Sequence, residues 1–232
     1  MKNESKGNLN QIANNYLFVD LETGGLYADK HSILQIAAIF TDLDFNIQSY
    51  FMSYVNPHPE LKVTKEALLI NQLKWEDLVK APSESAVALA LHHFASMPGQ
   101  KARFAGYNCQ FDLEFLSLMW KRQNVLSVPY QVPWLDLYAA AKSKLGNNSG
   151  LPNFKLVSVA NHFGINVSGA HDALQDLFMT IEIAKLLKAM PDNPHKDRGI
   201  DVEAAKFSLL VEEAVAEICD NTTNIISNKS SS

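Results

Sequence analysis

The 232-residue sequence has little cysteine, no long apolar run and no excess of positive charge. Its two cysteines, Cys109 and Cys219, exclude a disulfide-built scaffold and leave too few thiolates for a Cys-based zinc centre. Without a stretch of ~18 consecutive apolar residues, no membrane-spanning helix is expected. Residues 1–15 are polar and lack the apolar segment of a secretory signal, so the expected compartment is the cytoplasm, with thiols reduced. Lys and Arg number 20 against 25 Asp and Glu, a formal net charge of -5. That balance argues against a protein that coats long nucleic acid through a basic surface. Walker-type phosphate loops, dinucleotide-binding glycine fingerprints and a Ser-His-Asp order are all missing.

What is present is enough apolar material for a core: 47% hydrophobic residues and 19% charged. The length fits one domain with additions or two small ones. After the polar lead-in, residues 16–21 (YLFVDL) read as a strand, and residues 33–40 and 47–56 as two more, joined by a short turn-like link into a hairpin. Short helices are predicted over 64–72 and 75–80, and a longer one runs to Met97 from an N-cap at Ser83. A fourth strand at 103–107 precedes a helix over 109–124. Residues 132–137 read as a fifth strand or a strand-to-helix link. Helices follow over 153–163, ended by Gly164, and over 172–190. Residues 201–220 form another amphipathic stretch, which either packs on the domain or meets a partner, followed by an Asn/Thr/Ser-rich tail. Three strands followed by alternating helices and strands predict an α/β fold with a mixed sheet.

Three segments carry acids at junctions between elements. In Phe18-Val19-Asp20-Leu21-Glu22-Thr23-Gly24, the strand pleat puts Asp20 and Glu22 on one face. Two acids at the end of an apolar strand are costly without compensation, and a hard divalent cation supplies it; the alternative is a solvated strand end. In Asn108-Cys109-Gln110-Phe111-Asp112, Asn108 reads as an N-cap and Asp112 falls in the first helical turn. There Asp112 either compensates the helix dipole or emerges at the strand ends. In His171-Asp172-Ala173-Leu174-Gln175-Asp176, Asp172 and Gln175 resemble a capping box, which gives Asp172 a structural role. His171 lies on a loop begun by Gly169 and Asp176 inside the helix, so the two converge only because the histidine is outside the helix; taken alone, His171 reads as a capping or surface histidine. Four acids and one histidine at three junctions are the composition of a two-metal phosphoryl-transfer site.

These segments, DLETGGL at Asp20–Leu26, NCQFDLEFL at Asn108–Leu116 and HDALQD at His171–Asp176, resemble the three motifs of the DEDDh 3′–5′ exonucleases. The family includes the proofreading subunit of the bacterial replicative polymerase, ribonuclease T and oligoribonuclease. The histidine five residues before the last acid marks the h subgroup. Weaker similarities lie in Lys65-Glu66-Ala67-Leu68 with Asn71, in Trp134-Leu135-Asp136-Leu137 and in residues 153–164. The resemblance implies a ribonuclease H-like fold, with a five-stranded mixed sheet flanked by helices, and an exonuclease domain over residues 16–190. Residues 191–232 then add a C-terminal helix and polar tail.

The resemblance also implies a mechanism. Asp20, Glu22 and Asp176 would hold one metal, and Asp20 with Asp112 a second; His171 would be the general base. Mg²⁺ is the implied ion, two per site, with Mn²⁺ as substitute, since carboxylate-only ligation argues against zinc. Thr23, Gly24 and Leu26 would meet the terminal nucleotide, with Asn108 beside them. Phe111 either stacks on a base or packs in the core. The expected substrates are single-stranded 3′ ends of DNA or RNA, released as 5′-mononucleotides. A homodimer, and a polymerase or other protein partner through residues 201–220, are compatible with the resemblance. The competing reading is a catalytically silent nucleic-acid-binding or scaffold module on the same fold. His92 and His93, adjacent on a helix, do not converge on a metal.

Overall fold

A computed structural model describes residues 15–96, 102–125, 128–146 and 149–191. Strands β1 (Asn15–Thr23), β2 (Ile33–Asp42) and β3 (Ile47–Tyr54) are followed by helices α1 (Lys65–Ile70), α2 (Trp75–Leu78) and α3 (Glu84–Ala95). Strand β4 (Ala102–Gly106), helix α4 (Cys109–Arg122), strand β5 (Tyr130–Asp136) and helices α5 (Leu137–Leu145), α6 (Leu156–His162) and α7 (Ala173–Ala189) complete the order. The sheet runs β3-β2-β1-β4-β5. β1 and β2, and β2 and β3, pair antiparallel, while β4 lies parallel to both β1 and β5. The expected mixed sheet and its leading hairpin are therefore present.

Two apolar layers cover the sheet. Leu17, Val19 and Leu21 of β1 pack with α3 and α4 on one side. Phe18, with Ala37 and Ile39 of β2, packs with α5, α6 and α7 on the other. β2 is buried on both faces, which is why it reads as a nearly continuous apolar run rather than an alternation. β3, at the sheet edge, alternates instead. Across the first layer, Arg122 at the end of α4 donates to both oxygens of Glu84 on α3, at 2.8 and 2.7 Å, and Gln123 adds a third bond at 3.2 Å. Glu84 is buried, so losing Arg122 would cost about 3–5 kcal/mol by leaving the charge unpaired.

Several sequence expectations shift. Asn15 belongs to β1 rather than to a lead-in. Residues 132–137, read as a strand or a strand-to-helix link, are both: β5 ends at Asp136 and α5, whose extent the sequence did not delimit, starts at Leu137. The caps at Ser83 and Asp172 are as expected, through bonds from Ala86 and Gln175. Residues 1–14 of the lead-in and the 201–220 stretch lie outside the described residues. No helix of the described residues is long and apolar enough to cross a membrane.

Candidate active site

The site grows from a mismatch in strand length. β4 accompanies β1 only as far as the pair Phe18↔Ala105, then ends at Gly106 and turns into α4. β1 continues to Thr23 with β2 alone, through the pairs Asp20↔Ala37 and Glu22↔Gln35. The side of β1 that β4 abandons receives the first turn of α4 instead. There Asp112 accepts a hydrogen bond from the Leu21 amide at 3.1 Å. Asp112 is thus buried and tied to the backbone between Asp20 and Glu22, whereas the sequence alone left a dipole role open.

The opposite layer brings the last acid. Asp20, Glu22 and Asp176 offer carboxylate oxygens that all lie within 4.8 Å of one another, close enough to share one cation. Asp176 sits in the first turn of α7 and accepts from the His171 amide at 3.3 Å. His171 adopts φ 70°, a left-handed conformation uncommon for a residue with a side chain, and its ring is exposed. The contact between His171 and Asp176 is made by the His171 backbone amide, and the three-acid cluster does not include the His171 ring. Asp172 caps α7 and stays outside the three-acid cluster.

The electrostatics show what the cluster lacks. Burial, then the charges of Asp112, Asp176, Glu22 and Asp172, hold the Asp20 carboxyl well above the usual range. Burial and the Asp176 and Asp172 charges push Glu22 up to about 8. Burial raises Asp176 to about 6, partly offset by its bond from His171. Burial likewise raises Asp112, against the pull of the Leu21 bond. The charged neighbours that act on Asp20 and Glu22 are all other carboxylates, while Asp176 also feels His171. An all-oxygen, anionic and crowded donor set fits a hard divalent cation.

The loop after β1 departs from expectation in its reason. A side chain at Gly24 would meet the Lys62 carbonyl at 2.7 Å, and one at Gly25 the His31 ring at 2.4 Å. These glycines allow the loop to pack against its own protein, a job apart from the contact with the terminal nucleotide that the resemblance implies for Gly24. Thr23 is buried, and its hydroxyl donates to the Gly25 carbonyl at 2.7 Å. Leu26 projects into solvent, 76% exposed. Phe111 is half-buried, with its ring 5.0 Å from that of Phe115, so it belongs to the core edge while keeping an open face.

Asn108 precedes α4 but does not cap it through its side chain. Its φ is 66°, in the left-handed region that asparagine tolerates, and its side chain makes no capping bond. The cap is Asp136, at the end of β5, which accepts from the amides of Asn108 and Cys109 at 3.1 and 3.2 Å. The same carboxylate accepts from Tyr138 and Ala139 at the start of α5. One acid therefore closes two helix starts and fixes the turn that carries Asp112. Asn71, like Asp136 named in the sequence only as part of a weak similarity, also has a job: its side-chain amide donates to the Thr23 carbonyl at 3.1 Å. Gln35 is a missed residue, an amide inside an otherwise apolar strand. That polar interruption of a buried run was the only signal for it.

A five-stranded mixed sheet whose central strand presents two acids to a third on a flanking helix defines a ribonuclease H-like fold with an acidic site suited to a cation. Residues 17–184 match the RNase_T model, the exonuclease family, and the chain belongs to that family. Among curated relatives, exodeoxyribonuclease I of Escherichia coli K12 is 32% identical over 192 residues, covering 75% of this chain and 40% of the relative. DNA polymerase III subunit epsilon of Treponema pallidum is 26% identical over 208 residues, 88% of this chain and 89% of the relative. Among solved structures, E. coli exonuclease I in complex with a dT13 oligonucleotide superposes with a TM-score of 0.64 at 29% identity, covering 76% of this chain and 41% of that one. A zinc-bound form of E. coli exonuclease I with single-stranded DNA gives 0.65 at 28% identity, covering 75% and 40%. The chain thus spans about 40% of the length of the exodeoxyribonuclease I relatives it matches.

Proposed function

We propose that this chain is a metal-dependent 3′–5′ exonuclease that removes 5′-mononucleotides from single-stranded 3′ ends, with DNA as its substrate. The observation that carries the reading is the convergence of Asp20, Glu22 and Asp176 within 4.8 Å, with Asp112 buried beside them. The intact acid set argues against a silent binding module. The DNA assignment is supported by the likeness to exonuclease I, whose structures include oligodeoxynucleotide complexes. Asp20, Glu22 and Asp176 would hold one cation and Asp20 with Asp112 a second, Mg²⁺ by the chemistry of the donors and Mn²⁺ as substitute. Bound cations supply phosphate neutralisation and a more acidic water.

The chain's own groups do the rest. His171, exposed on its left-handed turn, takes a proton from the attacking water. Thr23 and Gly24 shape the loop beneath the terminal sugar, and Leu26 presses on the terminal base. Phe111 offers its open face to a base, and Asn108 lines the same mouth. The wider reading places the protein in the cytoplasm. It allows a homodimer, and a polymerase partner taken through residues 201–220; the Treponema relative, itself a polymerase III subunit, supports the latter.

The test is a 5′-labelled single-stranded oligodeoxynucleotide with a free or blocked 3′ end, beside a matched RNA. Stepwise shortening from the free 3′ end, dependent on Mg²⁺ and stopped by chelator, is expected. Absence of shortening, or products from internal or 5′ cleavage, would overturn the reading.

A further inference from the structure

Gln35 is fully buried on β2, directly across from Glu22. Its side-chain amide spans the gap between the sheet and the start of α7 with both ends engaged. Nε2 donates to Asp172 Oδ2 at 2.8 Å, and Oε1 accepts from the Ala173 amide at 3.1 Å. The other oxygen of Asp172 accepts from Gln175 at 3.1 Å. The first turn of α7 is thereby fastened to the strand beside the acids. His171 is the residue before that turn, and Asp176 lies within it. Ala173 and Leu177 add apolar packing against the same face, but apolar contacts do not fix a helix in rotation or along its axis as directional bonds do.

We infer that Gln35 is a positioning residue for the metal site. Its paired bonds to Asp172 and the Ala173 amide set where Asp176 and His171 stand against Asp20 and Glu22. They also hold Asp172 as a helix cap, outside the cluster of cation-holding acids. The inference deepens the proposed function and rests on it. Only an amide serves beside a carboxylate here, because one end must donate to Asp172 and the other accept from a backbone N–H. Glutamate at 35 would set two carboxylates against each other. If Asp172 became asparagine at the same time, the donor and acceptor would merely exchange sides. Glutamate would accept from both Ala173 and the new amide, whose oxygen would still accept from Gln175.

The experiment uses the full chain with Gln35→Met, Gln35→Glu, Asp172→Asn and the Gln35→Glu/Asp172→Asn double variant. Three readouts are taken: Mn²⁺ binding by calorimetry, turnover at saturating Mn²⁺, and amide hydrogen exchange at residues 173–176 without metal. Gln35→Met keeps the bulk, so it should fold while losing about 10–100-fold in Mn²⁺ affinity. Gln35→Glu should lose at least as much, and the double variant should recover most of that loss. Wild-type affinity in Gln35→Met, or a double variant no better than Gln35→Glu, would overturn the inference. If the wild type binds no Mn²⁺, the proposed function fails instead, and exchange still decides the positioning. Faster exchange at 173–176 in Gln35→Met, reversed between Gln35→Glu and the double variant, supports it; unchanged exchange in all variants refutes it.

Discussion

The two layers of helices each deliver one acid to β1, and they do so by different means. On one side Asp112 is buried and bonded to the Leu21 amide, so its position is set by the backbone of the strand it serves. Asp136 fixes the turn that brings it there. On the other side Asp176 is half-exposed, reached through a loop with a left-handed histidine, and steadied by side-chain bonds. One acid is part of the sheet's hydrogen bonding; the other approaches from a helix that needs a fastening of its own. The site therefore has two walls, one from α4 set by the backbone of the strand and one from α7 held by side-chain bonds, and the residue assigned to proton transfer sits on the α7 wall.

This contrast can be broken most sharply by removing the shared centre. Asp20→Ala or Asp176→Ala should reduce single-strand degradation by about 10³-fold or more while the far-ultraviolet circular dichroism stays native. Near-normal turnover in either variant would remove both walls from the chemistry. Next, His171→Ala should lower turnover by roughly 10²–10⁴-fold with little change in melting temperature. A variant equal to wild type at neutral pH would take the base away from the α7 wall.

The α4 wall predicts a split between two substitutions of one residue. Asp112→Asn keeps an oxygen for the Leu21 amide and removes a buried charge, so the metal-free protein should melt higher even as activity falls. Asp112→Ala orphans that amide and should melt below the Asn variant, by an amount equivalent to about 1–3 kcal/mol. Equal melting of the two would show that the Leu21 bond contributes nothing.

A further effect is the pH dependence of the metal-free chain. Glu22, at about 8, and Asp176, at about 6, are raised above their unfolded values. A raised carboxyl stabilises the fold fully below its unfolded pKa, near 4. That contribution is lost as pH rises through about 6 and then about 8. Melting scans from pH 5 to pH 8.5 should decline without metal and flatten with Mg²⁺. A decline unaffected by Mg²⁺ would argue that the crowded acids are not where the cation goes.

Much of this was legible in the sequence because the informative residues are polar groups where apolar ones belong. Asp20 and Glu22 interrupt a strand-forming run, and pleat alternation alone places them together. His171 and Asp176 converge through a loop that glycine announces. Other features escaped because their cause is non-local. Asp112's bond to Leu21 depends on β4 stopping short of β1, which no local pattern records. Asp136 caps the start of α4 from a distant strand, so Asn108 looked like the cap by propensity alone. Gly24 and Gly25 signalled a tight loop, but the groups they make room for, Lys62 and His31, are known only once the chain is folded. Helix α5 follows β5 without a break, and the strand signal of Trp134 and Leu135 ran straight into it.

The order of the acids along the chain has a consequence for biosynthesis. Asp20 and Glu22 belong to the first strand and Asp176 to the last described helix, with Asp112 between them. Chains grow from the N-terminus, and contacts between distant residues close late in folding. A nascent chain lacking α7 carries only two of the three clustered carboxylates and lacks the helix that covers Phe18, Ala37 and Ile39. Assembly of the three-acid cluster and closure of that core layer therefore arrive in the same event.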